Sequence, residues 1–380
     1  MKNRYFATAA RGLEPLVVQE LEQLGAKDIK PGFAGVSFTG DRSLLYRVNL
    51  WGRVPFRVLQ QIGTKDSRDA RQLYSGIQSI DWSQYLSPDQ TFAVRATGKN
   101  SQLNHTHYTA LQVKNAVVDQ QRQQFGHRSD VDIDAPDLQI NVHIGKDDPK
   151  RGSRATISLD STGESLHRRG YRPAMGAAPL KETLAAALLR LADWTPDQPF
   201  LDPLCGSGTL PIEAARRALN IAPGLGRRFA FEQWPDFDAP LWDALQEEAR
   251  RQQRQRLDIP IVGSDRDGAV IAQAQTNARL GGVAGQVVLQ VCDLMDMMPP
   301  ADQGVIICNP PYGERIGTVE MLRPFYKQLG DVLKQRCRGW TAYVLCGNTQ
   351  LAKYIGLRAS RRIPVFNGGI ECRLLRYELY

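Results

Sequence analysis

The sequence predicts an α/β protein whose second half is a doubly wound, Rossmann-like sheet, mostly parallel with an antiparallel edge, preceded by an α+β region. Three observations predict this. From Leu180 onward short apolar strands alternate with amphipathic helices, the pattern of a mostly parallel sheet. Before residue 160 the strands instead alternate apolar and polar side chains, as strands packed on one face do. The length of 380 residues exceeds the ~100–200 residues of one domain, so two or three units are expected.

Along the chain, Tyr5–Thr8 reads as a strand. Leu13, Leu16, Val17, Leu21 and Leu24 follow at helical spacing, and Gly25 ends that helix. Val36–Thr39 is a half-buried strand. Between residues 44 and 160, strands are expected at Arg57–Ile62, Thr91–Thr97, Asp137–Ile144 and Arg154–Leu159, with a helix over Tyr108–Gln124 and an acidic turn region over Asp130–Asp137. The Gly-, Arg- and Ser-rich stretch 161–176 reads as a connection. The second half then gives a helix at Leu180–Leu191 and strands at Pro199–Leu204, Ile259–Ser264, Val287–Val291, Val305–Cys308, Ala342–Leu345, Arg361–Val365 and Cys372–Leu379. Helices fit at Leu210–Leu219, Ala239–Arg256, Ala269–Leu280 and Met321–Arg336. The last two strands have no helix between them, which predicts an antiparallel pair at that edge.

Composition narrows the function classes. Apolar residues at 42% and charged residues at 23% are ordinary for a globular chain. The net charge of +8 is uneven: residues 1–100 and 301–380 carry the basic excess, while 201–300 are net acidic. Excess at both ends suits a polyanionic partner. No apolar run reaches the ~18 residues of a membrane span. The opening residues Met1–Thr8 turn polar before a leader's apolar core forms, so a cytoplasmic location is expected. All six cysteines lie in the second half without a Cys-x-x-Cys pair, and no metal site is expected. Asn104-His105-Thr106-His107 reads as a surface loop without a third ligand. The run Arg250–Arg256 is a basic helical face, either solvated or turned toward RNA.

Four strand ends carry the chemistry. Asp202-Pro203-Leu204-Cys205-Gly206-Ser207-Gly208-Thr209 ends the first strand of the second sheet and opens a helix. Its glycines permit a tight turn and close approach of a ligand, or simply the turn. A Walker loop is excluded because no Gly-Lys-Ser/Thr follows, and the spacing is not G-x-G-x-x-G. Asp265, at the end of the next strand, can accept from both hydroxyls of a ribose; Asp267 is read as a helix cap. Asp293, before Leu294, can accept from an adenine amino group. Taken singly, each acid also fits a cap or a loop charge.

Asn309-Pro310-Pro311-Tyr312 ends the fourth strand, and it offers what methylation of an amino group needs. The Asn309 side-chain oxygen and the Pro310 carbonyl can both accept from an exocyclic amine, which orients its lone pair. Pro310 and Pro311 preorganise those acceptors, and Tyr312 offers a flat face for a base taken out of its stack. Cys205 and Cys308 also raise a cysteine nucleophile as an alternative, but that chemistry does not need the amine clamp.

These two signatures, Asp202 to Glu213 and Asn309 to Arg315, resemble those of THUMP-containing class I S-adenosylmethionine-dependent RNA methyltransferases. The resemblance extends to Ala10–Glu14, Tyr108–Asp119, Leu166–Arg172, Pro179–Ala187 and Thr276–Leu280, nearly the whole chain. It implies a small ferredoxin-like segment over 1–43, a THUMP RNA-binding domain over 44–155, a linker over 156–178 and a methyltransferase domain over 179–380. It also implies S-adenosylmethionine as cofactor. The cofactor site would comprise Asp202, Pro203, Cys205, Gly206, Ser207, Gly208, Thr209, Asp265, Asp293, Leu294, Asn309 and Thr183. The stretch Arg169–Thr183 would close over it. Asn309, Pro310, Pro311 and Tyr312 would hold the target base. The implied reaction is methylation of a guanine N2 amine in RNA, 23S ribosomal RNA first and tRNA as the alternative. A non-catalytic RNA-binding assembly factor would require damaged motifs, and these read intact. Many relatives are fused to a second methyltransferase, and ending at Tyr380 this chain is expected to lack that activity.

Overall fold

The computed structural model describes residues 2–150, 152–172, 180–312 and 318–380. The N-terminal block runs β1 (Asn3–Thr8), α1 (Glu14–Gln23), β2 (Lys27–Gly32), β3 (Gly35–Gly40), α2 (Arg42–Trp51), β4 (Arg57–Asp66), α3 (Ala70–Gln78), β5 (Thr91–Gly98), α4 (Thr106–Phe125), β6 (Asp130–Val131), β7 (Leu138–Ile144) and β8 (Arg154–Asp160). Its strands form one sheet in the order β2-β3-β1-β4-β8-β7-β5-β6. The ten-residue β4 joins the two parts, pairing antiparallel with β1 on one side and β8 on the other. What the sequence suggested as two successive regions therefore shares one continuous sheet.

Three elements of this block left no clear signal. β2 is an almost wholly exposed edge strand, so it shows no apolar alternation. The helices α2 and α3 are short and begin at aspartates, Asp41 and Asp69, whose side chains accept from Leu44 N and Gln72 N. At α4, His105 caps the helix by accepting from Tyr108 N at 3.3 Å. The His-x-His pair is thus a helix start. Among the described residues no helix is long and apolar enough to cross a membrane.

The second half runs α5 (Glu182–Leu191), β9 (Phe200–Asp202), α6 (Thr209–Ala218), α7 (Ala239–Arg251), β10 (Ile261–Asp265), α8 (Gly268–Leu280), β11 (Val288–Val291), β12 (Val305–Cys308), α9 (Val319–Arg336), β13 (Thr341–Cys346), α10 (Thr349–Ala352), β14 (Arg361–Asn367) and β15 (Ile370–Glu378). The sheet order is β11-β10-β9-β12-β13-β15-β14. The first five strands are parallel, and β15 is antiparallel to both neighbours. The expected antiparallel edge is present, but the last strand inserts inside it, between β13 and β14. The helix α7 stops at Arg251, five residues short of the expected Arg256. There the chain turns away, with Arg254 N donating to Leu219 O at 2.8 Å. Arg250 and Arg251 face Glu247 in exposed pairs at 3.8 and 3.4 Å, so that much of the basic run is a solvated face.

The two blocks are docked by buried polar contacts. Arg169, fully desolvated, donates to the carbonyls of Leu166 and Arg53 and lies 3.8 Å from Glu213 in α6. The Glu20 carboxylate in α1 accepts from Arg53 N and Val54 N and pairs with Arg190 of α5 at 3.2 Å. Gly224 lies so close to Asn49 and Leu50 that a Cβ there would come within 2.8 Å of their backbone. Most of the apolar core runs unbroken through both blocks.

Candidate active site at the strand ends

The chain visits β9, β10 and β11 outward in one direction, then crosses back to place β12 on the other side of β9. The switch point thus falls between β9 and β12, and ligands in such sheets bind beyond the carboxyl ends there. The Gly206–Gly208 loop follows β9 and Asn309 follows β12, so two motifs about a hundred residues apart flank the same switch point.

The loop is shaped by its glycines. Gly206 has φ +51° and open space where a Cβ would project; Gly208 has φ +82° and is the residue before α6. Asn277 of α8 donates to Ser207 O at 2.9 Å, and Cys205 N donates to Ser264 O at 2.9 Å, which fixes the loop against β10. Thr209 begins α6, and its hydroxyl accepts from Arg172 at 2.8 Å. Arg172 also donates to Leu180 O and sits 3.5 Å from Glu182, tying the connecting segment to the start of α5. Thr183, the next residue of α5, has a buried hydroxyl with no hydrogen-bond partner. Residues 173–179, in the stretch expected to close over a cofactor, and the motif residues Gly313, Glu314 and Arg315 lie outside the described residues.

The acids differ in state. Asp202 is buried and accepts from Leu204 N at 3.1 Å; burial, with the Asp265 charge nearby, pushes its carboxyl well above the usual range. Asp265 is half-buried, and its two oxygens accept from Gly206 N and Asp267 N, each at 3.1 Å. Asp267 caps α8 by accepting from Ala269 N, as read from the sequence. Asp293 is exposed and accepts from Met295 N at 2.9 Å, with Leu294 buried behind it. The structure therefore gathers Asp202, Pro203, Cys205 and the glycine loop beside Asp265, whereas among the described residues Asp293 accepts from Met295 N and is not tied to them. Cys292 N donates to Asp265 O and brings the β11 end alongside.

Both thiols raised as candidate nucleophiles are buried. Cys308 is fully buried and burial raises its thiol well above the ordinary value; Cys205 is raised for the same reason, with the charges of Asp202 and Asp265 adding to it. Neither is held as a thiolate nucleophile. Beyond Cys308, Asn309 carries a buried side-chain oxygen with no hydrogen-bond partner, and Pro310 is buried. Tyr312 is half-buried and reaches toward the β13 and β14 ends, where its hydroxyl accepts from Asn367 at 2.7 Å.

Sequence reading gave no site role to Ser264, whose buried hydroxyl is also unpartnered, or to Asn277 and Glu213, whereas Arg172 lies in the Arg169–Thr183 stretch expected to close over the cofactor. Asn277 left a signal: it is a buried polar residue inside a helix, where asparagine is a poor former. Glu213 left none, because its pairing depends on how the blocks dock.

The family described as the RMKL-like methyltransferase domain matches residues 169–376, the THUMP domain matches 67–160, and the RlmL ferredoxin-like domain matches 4–59. The chain belongs to the RMKL-like methyltransferases. A Synechocystis sp. protein provisionally named an RNA methyltransferase is 56% identical over 99% of this chain and 97% of its own length. The ribosomal RNA large subunit methyltransferase K/L of Syntrophotalea carbinolica is 42% identical over 99% of this chain and 53% of its own length. The chain therefore spans about half the length of the K/L relatives it matches. A solved structure of a provisionally assigned methyltransferase, complexed with S-adenosylhomocysteine, superposes with a TM-score of 0.88 at 32% identity, covering 100% of this chain and 98% of that one.

The family cofactor is S-adenosylmethionine, and the residues present fit it. Thr183 and Ser264 each keep a buried polar atom unpaired. Gly206 leaves open space above the loop, and Asp202 is a desolvated acid suited to a cationic ligand. The N-terminal end of the ten-residue α6 is the positive end of its dipole, suited to a carboxylate.

Proposed function

We propose that this methyltransferase acts on the exocyclic N2 amine of a guanine in RNA, with large-subunit ribosomal RNA as its substrate. The observation that carries this reading is the unpartnered, buried side-chain oxygen of Asn309 at the end of β12, followed by Pro310, Pro311 and Tyr312. A buried acceptor without a donor costs about 1–3 kcal/mol, a cost offset when a ligand amine arrives.

In this reading Asn309 Oδ1 and the Pro310 carbonyl accept the two amine hydrogens and aim the nitrogen lone pair. Pro311 stiffens the turn and Tyr312 stacks on the base, which must leave its stack to arrive. S-adenosylmethionine supplies an electrophilic methyl on a sulfonium. Asp202, Pro203, Cys205, Gly206, Ser207, Gly208 and Thr209 would line its amino-acid end; Asp265 would hold the ribose, Asp293 and Leu294 the adenine, and Thr183 would close the near side. After alkylation the cationic nitrogen is acidic enough to give its proton to water, so no charged base is required beside it. Residues 44–155 would hold the RNA and 179–380 would perform the transfer. Phosphate contacts by the basic N-terminal region give affinity with little sequence reading. Cytoplasmic RNA is the pool this requires.

A tRNA guanine-N2 substrate is the second reading, favoured by the same pairing of an RNA-binding block with an amine clamp. Mass mapping of ribosomal RNA and tRNA from cells lacking the gene separates the two. A methylguanine lost from 23S RNA and restored by the wild-type gene, but not by Asn309→Ala, supports the first. Loss from tRNA alone selects the second. Intact methylation in both pools would exclude the enzymatic reading.

A further inference from the structure

Tyr312 is held by two elements that lie far from it in sequence. Its ring lies against Gly347, just past β13, so closely that a Cβ built there would come 2.5 Å from ring carbon Cδ2. Its hydroxyl oxygen accepts a 2.7 Å hydrogen bond from Asn367 Nδ2. Asn367 is the last residue of β14 and pairs with Ile370 across the Gly368-Gly369 turn, where Gly368 has φ +64°. The N-terminal block braces this hairpin: the Arg11 guanidinium lies 5.5 Å from the centroid of the Phe366 ring.

We propose that Asn367 is a positioning residue for methyl transfer, fixing the outer end of the Tyr312 ring and, through it, the tilt of the stacked base. The inference rests on Tyr312 being the stacking face. Gly347 sets how deep the ring can sit, because any side chain there would displace it. The hydrogen bond at the hydroxyl ties the outer end of the ring to the final hairpin. The base needs such control. Its amine must present the lone pair along the line of the breaking sulfur–methyl bond, and displacements near 1 Å cost turnover steeply. The Asn309 clamp fixes the amine edge of the base; a fixed stacking plane fixes its tilt.

The test is a double-mutant cycle in the full chain, with tritiated S-adenosylmethionine and total RNA from cells lacking the gene. Asn367→Ala should lower kcat by ~three- to tenfold, the worth of one hydrogen bond, and should lower it no further in the Tyr312→Phe background. KM for RNA and the calorimetric affinity for S-adenosylmethionine should be unchanged, which separates mispositioning from misfolding. The inference is overturned if Asn367→Ala keeps wild-type kcat while Tyr312→Ala loses turnover, or if the double variant loses the product of the two single effects. Wild-type turnover in Tyr312→Ala would instead overturn the stacking reading beneath it.

Discussion

Replacing Asp202 by Asn should make the protein more stable and unable to hold its cofactor. The buried carboxylate of Asp202 accepts one hydrogen bond, from Leu204 N at 3.1 Å, and an Asn oxygen can keep that bond. What the substitution removes is a desolvated charge with Asp265 close enough to oppose it. An imperfectly compensated buried group costs about 1–3 kcal/mol, so after the new amide's own desolvation a net gain of about 1–2 kcal/mol is expected. For a domain of this size each kcal/mol moves Tm by about 2–4 °C, which predicts a rise of roughly 2–8 °C without ligand. In the wild type, S-adenosylmethionine at a hundred times its Kd should add about 2.7 kcal/mol, roughly 5–10 °C, and in Asp202→Asn that increment should vanish.

The pH dependence has a definite sign. Because folding raises the Asp202 pKa, the wild type keeps this group's contribution fully below the unfolded value near 3.8 and loses it as pH rises through the folded value. The stability gap favouring Asp202→Asn should therefore be absent in acid and open toward neutral pH. Scanning calorimetry of both proteins across that range, with and without S-adenosylmethionine, reads every part. An unliganded Tm at or below wild type, together with an undiminished ligand shift, would refute the reasoning.

Asn309→Ala should abolish methyl transfer while calorimetry finds S-adenosylmethionine affinity nearly unchanged; wild-type turnover would remove the amine clamp from the mechanism. Asp265→Ala should weaken S-adenosylmethionine binding by ~1–3 kcal/mol, through lost ribose contacts and through release of Gly206 N; unchanged affinity in the same titration counts against it. Glu213→Ala removes the carboxylate beside buried Arg169, and its charge also favours the charged form of buried Arg216. Urea unfolding should show a loss of about 3–5 kcal/mol, and a loss below about 1 kcal/mol would mean that these guanidinium groups find their compensation elsewhere.

The sequence by itself determined the sheet that carries the site. Short apolar strands separated by amphipathic helices have few other solutions, and each motif could be placed at a strand end because glycine, proline and acidic residues break periodicity there. Asp202, Asp265 and Asn309 were legible for that reason, as was the cap at Asp267. Only the tertiary structure decided the rest, since it depends on contacts between residues far apart in the chain. The sheet shared across β4, the insertion of β15 beside β13, and the buried docking of Arg169 against Glu213 leave no local pattern. Neither does the state of Asp202, because its burial is set by every element around it. The bond from Asn367 to Tyr312 has the same origin: 55 residues separate its partners, and only the register of the final hairpin brings them together.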